Sequence, residues 1–463
     1  MKKFTKLMAL LLALVMMLSL AACAPTSNDD SQNSGDSSDS SSDAAPTAPN
    51  RAILGNTTEL SGDFRYPGWG GSSAGAADQD ISRLTVGYGT METNQGGAYV
   101  WSQTAVKDHT ETENEDGTAT YTVTLNEGLT FSDGTPITAA NYLVRAVAFS
   151  TPVAVSAELP GTLGQSFVGF NEFSKYTGEE KEGTSKVFSG VRLIDEHTFS
   201  VTVSSDFYPY YFAYTYAAFD PDPMGLWLPE GVELKDDGEG CYLSDEFYAK
   251  NEAGEYTSAA YISGNRYDVS KYPFSGPYTI TNWDEGTKEC TLTLNPEFKG
   301  NFEGQKPSVE TIVYSKIIEE TQLEQLKTGA LDVLSNITGG DATKAALEVV
   351  DNEKFKEVHY QRAGYGKIEF DCDFGPTAFP EVRQAIAYLL NRVEFCQAFT
   401  GGYGVVVDGP YSPDFDMWKA VQDDIDLIDY SYSPDNAKKV LEDGGWIYNS
   451  KGEPYVEGAT GVD

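Results

Sequence analysis

Apolar and polar positions along this chain follow two different periods. Three segments alternate residue by residue, which puts their apolar side chains on one face and predicts β-strands. They are Tyr121–Leu125, Phe199–Val203 and Cys290–Leu294. Helical segments lie between them and no internal repeat is visible. The pattern therefore predicts a multi-lobed α/β or mixed α+β protein.

Four segments carry helix signals. They are a segment that begins at Ala139 behind Thr138, Glu320–Lys327 before Gly329, Pro380–Phe399, and Ser433–Leu441 before Gly444. Thr and Ser are favoured as N-caps, proline suits the first turn, and glycine ends a helix. The apolar residues from Val382 to Cys396 recur at helical spacing, so we predict one continuous helix there.

The N-terminus has the features of an export signal. Lys2 and Lys3 precede an apolar run of 16 residues, Leu7–Ala22, which is shorter than the roughly 20 residues of a membrane span. Small residues then lead to Cys23, as in the bacterial lipobox. We predict a signal peptide over residues 1–22 and lipidation of Cys23; the alternative is an ordinary secretory signal followed by a chance cysteine.

The next segment is unsuited to a folded core. Residues 24–50 are rich in Ser, Asp and Asn and contain no large apolar side chain, so they cannot bury enough surface to fold. We predict a disordered tether over residues 23–56. A flexible chain of this length spans about 30 Å.

Composition and charge restrict the kinds of molecule that this protein could bind. The chain has 463 residues and a formal charge of −38, which repels phosphate backbones and argues against nucleic-acid binding. Aromatic residues make up 12% of the chain, including 28 tyrosines. Tyrosine suits ligand surfaces because its ring is apolar and its tip is polar.

Metal and cofactor sites are not indicated. The chain has three histidines, and none pairs with another at helical spacing. Besides Cys23, the cysteines are Cys241, Cys290, Cys372 and Cys396. Their spacing matches no zinc pattern, and they allow three disulfide pairings among which the sequence does not choose. Because Cys290 and Cys396 fall on apolar faces, buried free thiols are at least as well supported for them as disulfides. We predict neither a metal nor a cofactor.

One stretch resembles a catalytic motif. The sequence GSSAG around Ser73 fits the nucleophile elbow of serine hydrolases. Pro67 interrupts the strand that such an elbow requires, and Asp78 and Asp80 argue against a phosphate loop. We predict no catalytic residue and interpret this stretch as a loop that carries an exposed Trp69.

Five blocks, in order, carry a resemblance to a known family. They are Tyr121–Tyr142 with its GLTFSDGTPITA turn, Phe274–Tyr278 followed by Trp283 and Asn295–Pro296, Gln325–Asp332, Val382–Arg392, and Ser433–Lys438 followed by Gly445–Trp446. Together they resemble the family 5 extracellular solute-binding proteins of ABC transporters, which include oligopeptide- and dipeptide-binding lipoproteins.

The resemblance implies a type II periplasmic-binding-protein-like fold of mixed α/β character, with two lobes around a cleft and an extra domain. On that basis we expect the first lobe at residues 57–90 and 190–277, the extra domain at 91–189 and the second lobe at 278–463. The family chain continues beyond this point, so we expect the last lobe to be incomplete.

The resemblance also implies a function. We expect a monomeric, lipid-anchored, extracytoplasmic protein of a Gram-positive bacterium. It would capture oligopeptides, close by a hinge motion, and deliver them to an ABC permease without catalysis. Alternatives are an oligosaccharide ligand, a surface adhesin, or a serine hydrolase that uses Ser73.

Aromatic and glycine-rich segments supply the predicted ligand contacts. The candidates are Trp69, Gly70, Ser72, Tyr211, Tyr216, Tyr272 and Tyr278. Tyr278 matches a family position near the inter-lobe crossover, and the loop around Trp69 matches one that leads toward the cleft. Plain core packing is the alternative for each tyrosine.

Overall fold

A computed structural model gives the structure of the second of two units in the chain, residues 50–463. It describes residues 50–65, 75–94, 96–156, 163–210, 213–256, 263–350, 355–359, 365–449, 451–454 and 456. The predicted signal peptide, Cys23 and residues 24–49 of the tether lie outside these ranges, as do Trp69, Gly70, Ser72, Ser73 and Tyr211.

Thirteen strands are found in the described ranges. They are β1 Arg51–Asn56, β2 Met91–Thr93, β3 Tyr99–Trp101, β4 Val106–Glu113, β5 Ala119–Leu125, β6 Val191–Leu193, β7 Thr198–Val203, β8 Leu234–Asp236, β9 Cys241–Leu243, β10 Tyr278–Asp284, β11 Glu289–Leu294, β12 Thr311–Lys316 and β13 Val333–Leu334. The three strands predicted from alternation correspond to β5, β7 and β11. In β5 the buried residues alternate with half-buried ones, as the pattern requires.

The described ranges also contain thirteen α-helices. They are α1 Ala76–Thr85, α2 Ala139–Phe149, α3 Pro152–Ser156, α4 Phe170–Phe173, α5 Met224–Trp227, α6 Asp245–Glu252, α7 Ser263–Arg266, α8 Gln322–Thr328, α9 Gly340–Val350, α10 Pro380–Leu389, α11 Arg392–Thr400, α12 Asp416–Val421 and α13 Pro434–Asp443. Short 3₁₀ turns lie at Leu163–Ser166, Ala213–Ala217, Glu319–Thr321 and Pro376–Ala378.

Helix ends follow the predicted chemistry. The Thr138 amide donates to Asn141 Oδ1 over 2.9 Å at the start of α2. Ser433 Oγ accepts from the Asn436 amide over 3.1 Å at the start of α13. Gly329 ends α8 with a φ of 78°, a left-handed conformation that glycine adopts without strain. The sequence signals therefore located these ends.

The predicted helix over 380–399 is wrong in one respect, because the structure breaks it into α10 and α11. The side chain of Asn391 accepts a hydrogen bond from the Glu394 amide over 3.2 Å and so starts a new helix. Asparagine is a strong N-cap. Its local hydrogen bond outweighs the helical spacing of the apolar residues on either side.

A five-stranded sheet joins distant parts of the chain, in the order β10-β11-β12-β1-β13. Strand β1 pairs in parallel with both β12 and β13. Residues Arg51–Asn56 therefore do not belong to the tether that was predicted to reach residue 56. Strands β10 to β13, from the segment predicted as the second lobe, share this sheet with β1.

A four-stranded antiparallel sheet has the order β4-β5-β7-β6. Its strands come from both sides of the predicted boundary at residues 189/190, since β5 pairs along its length with β7. The local pattern did not show this pairing, because alternation identifies a strand and its buried face but not its partner. Strands β2 and β3 form a separate hairpin, as do β8 and β9.

Two apolar cores hold these sheets. The larger lies around β5, β7 and α2 and contains fully buried rings of Tyr121, Tyr142, Phe149, Phe199 and Trp227. The smaller lies between α1 and the five-stranded sheet and includes Phe64, Ile81, Tyr278, Leu292 and Tyr314.

Between residues 355 and 449, few of the described residues are buried. Ala385, Ser412 and Ala437 are the only ones there, whereas Phe374 is 79% exposed and Phe399 is 73% exposed. This stretch therefore adds little to either core, and helices α10 and α11 keep apolar side chains on the surface.

The four described cysteines are free thiols. Cys241 and Cys290 are buried, Cys396 is half-buried and Cys372 is exposed. Burial raises the pKa of Cys290 to about 12, so this thiol stays protonated and unreactive. Of the alternatives that the sequence left open, the structure shows free thiols.

Candidate ligand-binding site

Two glycines allow two chain segments, residues 85–87 and 274–276, to cross at the C-terminal end of α1. We call this contact the crossover. The Gly276 amide donates to Thr85 O over 2.8 Å, and the Gly87 amide donates to Ser275 Oγ over 3.1 Å. A Cβ on Gly276 would lie 2.7 Å from both Thr85 O and Val86 N. No side chain fits at that distance, which gives a physical reason for the glycine in the Phe274–Tyr278 block.

A buried arginine fastens the neighbouring segment to the same crossover. Arg65 Nη1 donates to Pro273 O over 2.9 Å, and Nη2 donates to Tyr272 O. The guanidinium carbon lies 3.8 Å from the centre of the Phe274 ring. Burial lowers the pKa of Arg65 to about 10, so the group stays charged at neutral pH. The carboxylates of Asp222 and Asp268 oppose this lowering of the Arg65 pKa.

Described residues on both sides of the glycine-rich stretch 66–74 are held by hydrogen bonds. On one side stands Arg65; on the other, Asp78 in α1 accepts from the Ser61 amide and the Ser61 hydroxyl, each over 2.9 Å. Burial raises the pKa of Asp78, and the two bonds from Ser61 oppose that rise. Arg65 and Asp78, the charged residues on either side of this stretch, are therefore both anchored.

The concavities of the described residues differ greatly in size. One at the crossover has a volume of about 10 Å³, enough for a single water molecule. Its lining residues are Phe64, Arg65, Thr85, Val86, Pro221, Asp222, Pro223, Leu226, Pro273, Phe274 and Ser275. Another, of about 360 Å³, lies beside Gly169, Glu172 and Glu239. The crossover is therefore packed, and no peptide fits inside it.

The structure places three of the predicted ligand residues near the crossover or the larger core. Tyr278 is buried, and its hydroxyl donates to Val309 O over 2.9 Å, so it packs in the smaller core and does not line a surface. Tyr272 and Tyr216 are half-buried against the larger core. The remaining candidates lie outside the described residues.

The sequence interpretation overlooked Arg65 as the anchor of this region. Its signal was present: a single cation stands between Phe64 and Tyr66, immediately before the glycine-rich stretch. A cation among aromatic residues commonly stacks on a ring. Which ring and which carbonyls it meets depends on residues more than 200 positions away.

The hairpin β2–β3 meets the C-terminal stretch. The Asp416 amide at the start of α12 donates to Gly96 O over 2.9 Å, and the Phe415 ring covers Gly97. Tyr411 stacks on Trp418 with ring centres 4.2 Å apart. This contact links residues that lie before β10 in the chain with residues that lie after β13.

A metal site and a membrane-spanning helix would each place clear requirements on the described residues. In the described part of the chain, no three His, Cys, Asp or Glu side chains come together in a way that could hold a metal ion. Among the same residues, no helix has the length and apolar character needed to cross a bilayer.

Comparison with known proteins then gives the family. The model of bacterial extracellular solute-binding proteins, family 5 middle, matches residues 104–459. The dipeptide-binding protein of Escherichia coli is 24% identical over 237 residues, covering 48% of this chain and 42% of that protein. The oligopeptide-binding protein AppA of Bacillus subtilis is 25% identical over 337 residues, covering 72% of this chain and 49% of AppA. The chain thus spans about half the length of these curated relatives.

Solved structures agree on the fold. The structure of Bacillus subtilis AppA in complex with a nonapeptide matches with a TM-score of 0.52 at 18% identity, over 85% of this chain and 64% of that chain. A periplasmic EDTA-binding protein, EppA, matches with a TM-score of 0.56 at 13% identity, over 89% and 68% of the two chains. The predicted type II periplasmic-binding-protein fold is confirmed, and the chain belongs to the family 5 bacterial extracellular solute-binding proteins.

Proposed function

We propose that this protein captures oligopeptides outside the cell and hands them to an ABC permease, without catalysis. The observation that carries the proposal is the family match over residues 104–459, together with curated relatives named for dipeptides and oligopeptides. Peptide backbone can pair with strands whatever its side chains, which suits a binder of varied sequences.

The alternatives differ in ligand charge and chemistry. EppA shows that the same fold serves a protein named for an anionic chelator. The charge of −38 on this chain repels such anions and favours neutral or basic peptides. An oligosaccharide remains the second candidate, because exposed aromatic rings can stack on sugars.

A ligand panel tests the proposal. We expect the melting temperature of the 463-residue chain to rise with di- to nonapeptides, because a ligand that binds only the folded state stabilises it by about 2.7 kcal/mol at 100 times Kd. Free amino acids, oligosaccharides and EDTA serve as controls in differential scanning calorimetry. A rise with oligosaccharide alone would reassign the ligand, and no rise with any compound would refute solute binding.

We further propose that lipid on Cys23 holds the protein at the outer face of the cell membrane, in agreement with the n-region, apolar run and small residues before it. In a bacterial host that processes lipoproteins, we expect Cys23→Ala to move the protein from the membrane fraction to the medium. Cys372→Ala is the matched control. Membrane retention of Cys23→Ala equal to wild type would contradict lipidation.

A further inference from the structure

Strand β4 has an unpaired edge in the described sheet, where β5 is its one neighbour. Asn114 is hydrogen-bonded to Thr118, since its amide donates to Thr118 O over 2.8 Å. From there, hydrogen-bonded and non-hydrogen-bonded residue pairs alternate along β4 and β5. Thr112 and Thr110 therefore bond toward β5, and the backbone groups of Glu111 and Glu113 point away from the sheet. An edge of this kind accepts another strand.

Two carboxylates on this edge have phenol partners but no ion pair among the described residues. Glu111 accepts from the Tyr121 hydroxyl over 3.1 Å, and Glu113 accepts from the Tyr208 hydroxyl over 2.7 Å. Both glutamates are exposed. The bond to Glu113, followed by burial, raises the pKa of Tyr208 to about 12, so this phenol remains a donor.

Aromatic rings surround the carboxylates. Trp101 stacks on His109 with ring centres 4.1 Å apart and planes at 13°, and Tyr214 meets Trp101 edge-on at 6.2 Å. Tyr214 is 39% exposed. Rings beside exposed carboxylates favour a cationic side chain, because both attract positive charge.

We propose that the β4 edge binds an extended, basic peptide segment that adds a fifth strand to this sheet. A residue directly opposite Glu111 would have its side chain on the same face, with Cβ atoms about 5 Å apart. The next residue on that face would lie opposite Glu113. The segment should therefore carry Lys or Arg at positions i and i+2.

A second copy of this chain would bring a strand of like net charge to the same edge. A second β4 strand would bring three carboxylates, Asp108, Glu111 and Glu113, and a single lysine, Lys107, to this edge. Antiparallel pairing about Glu111 would set Glu111 directly against its own copy. Like charges directly opposite each other destabilise a sheet. The charge on the edge thus selects a basic partner.

Capped peptides test the proposal by isothermal titration calorimetry. The probe is acetyl-Thr-Lys-Thr-Lys-Thr-Lys-Thr-amide, and the same peptide with Glu in place of Lys is the charge control. We expect Glu111→Gln/Glu113→Gln to weaken binding of the Lys probe at least tenfold. Glu180→Gln/Glu182→Gln removes the same charge at another exposed site and should change affinity less than twofold.

Backbone methylation separates strand pairing from simple charge attraction. The Lys amides of the probe face β4 and the Thr amides face away. N-methylation at Lys should abolish binding, whereas N-methylation at Thr should leave it. Equal effects of the two methylated probes, equal effects of the two double variants, or no binding of the Lys probe would each overturn the proposal.

Discussion

Arg65→Ala is expected to lower the free energy of unfolding by about 3–5 kcal/mol, because it leaves partly buried carbonyls without donors and a cavity beside the Phe274 ring. Pro273 O and Tyr272 O lose their hydrogen bonds from the guanidinium. Each buried group left unsatisfied costs about 1–3 kcal/mol. The measurement is urea denaturation followed by circular dichroism.

Two further variants make this prediction specific. Arg65→Lys keeps the charge but supplies neither the planar fork nor the stacking on Phe274, so we expect an intermediate loss. Arg51→Ala removes an exposed arginine at the start of β1 and should change stability by less than about 0.5 kcal/mol. If Arg65→Ala matched Arg51→Ala, the anchoring role of Arg65 would be wrong.

Gly276→Ala is expected to cost about 3 kcal/mol, at the upper end of the range for overpacking. The added methyl would meet backbone atoms of Thr85 and Val86. Backbone cannot rotate aside as a side chain can, so the two crossing segments must separate. That separation also lengthens the 2.8 Å bond from the Gly276 amide to Thr85 O.

Gly366→Ala is the matched control for this substitution. Gly366 is exposed, and a Cβ added there would have no neighbouring atom within 4 Å, so alanine should be neutral or slightly stabilising. Urea midpoints of the two variants give the comparison. A loss below about 1 kcal/mol for Gly276→Ala, under the usual range for overpacking, would show that the crossover tolerates expansion.

Both predictions concern the crossover and its anchor Arg65, the residue just before the predicted ligand-contact stretch in the sequence. Arg65 and Gly75 bracket residues 66–74, and Asp78 ties the far flank to Ser61. Loosening the crossover should therefore weaken peptide binding as well as folding. The ligand panel applied to Arg65→Lys would measure that second effect.

Much of the local structure followed from the sequence. Alternation identified β5, β7 and β11, and the caps at Thr138 and Ser433 located two helix starts. These features depend on neighbours within a few residues. The helix break at Asn391 was missed because two local signals competed there, and apolar spacing was the weaker one.

The sequence predicted the roles of single side chains less well than it predicted local structure. Tyr278 was predicted as a ligand contact, yet its ring is buried and its hydroxyl bonds to Val309 O. An aromatic residue in a strand has the same local pattern whether it packs in a core or lines a cleft. Only the elements on either side of the sheet decide between these positions.

The sequence by itself determined the family, the mixed α/β class, and the strongly acidic surface. Tertiary structure alone decided that β1 lies between β12 and β13, that Arg65 anchors the crossover, and that β4 has an unpaired edge in the described sheet. The physical reason is the sequence separation of the residues that determine each feature. Periodicity and capping are set within a few residues, whereas strand partners and burial depend on segments that the chain brings together from hundreds of positions apart.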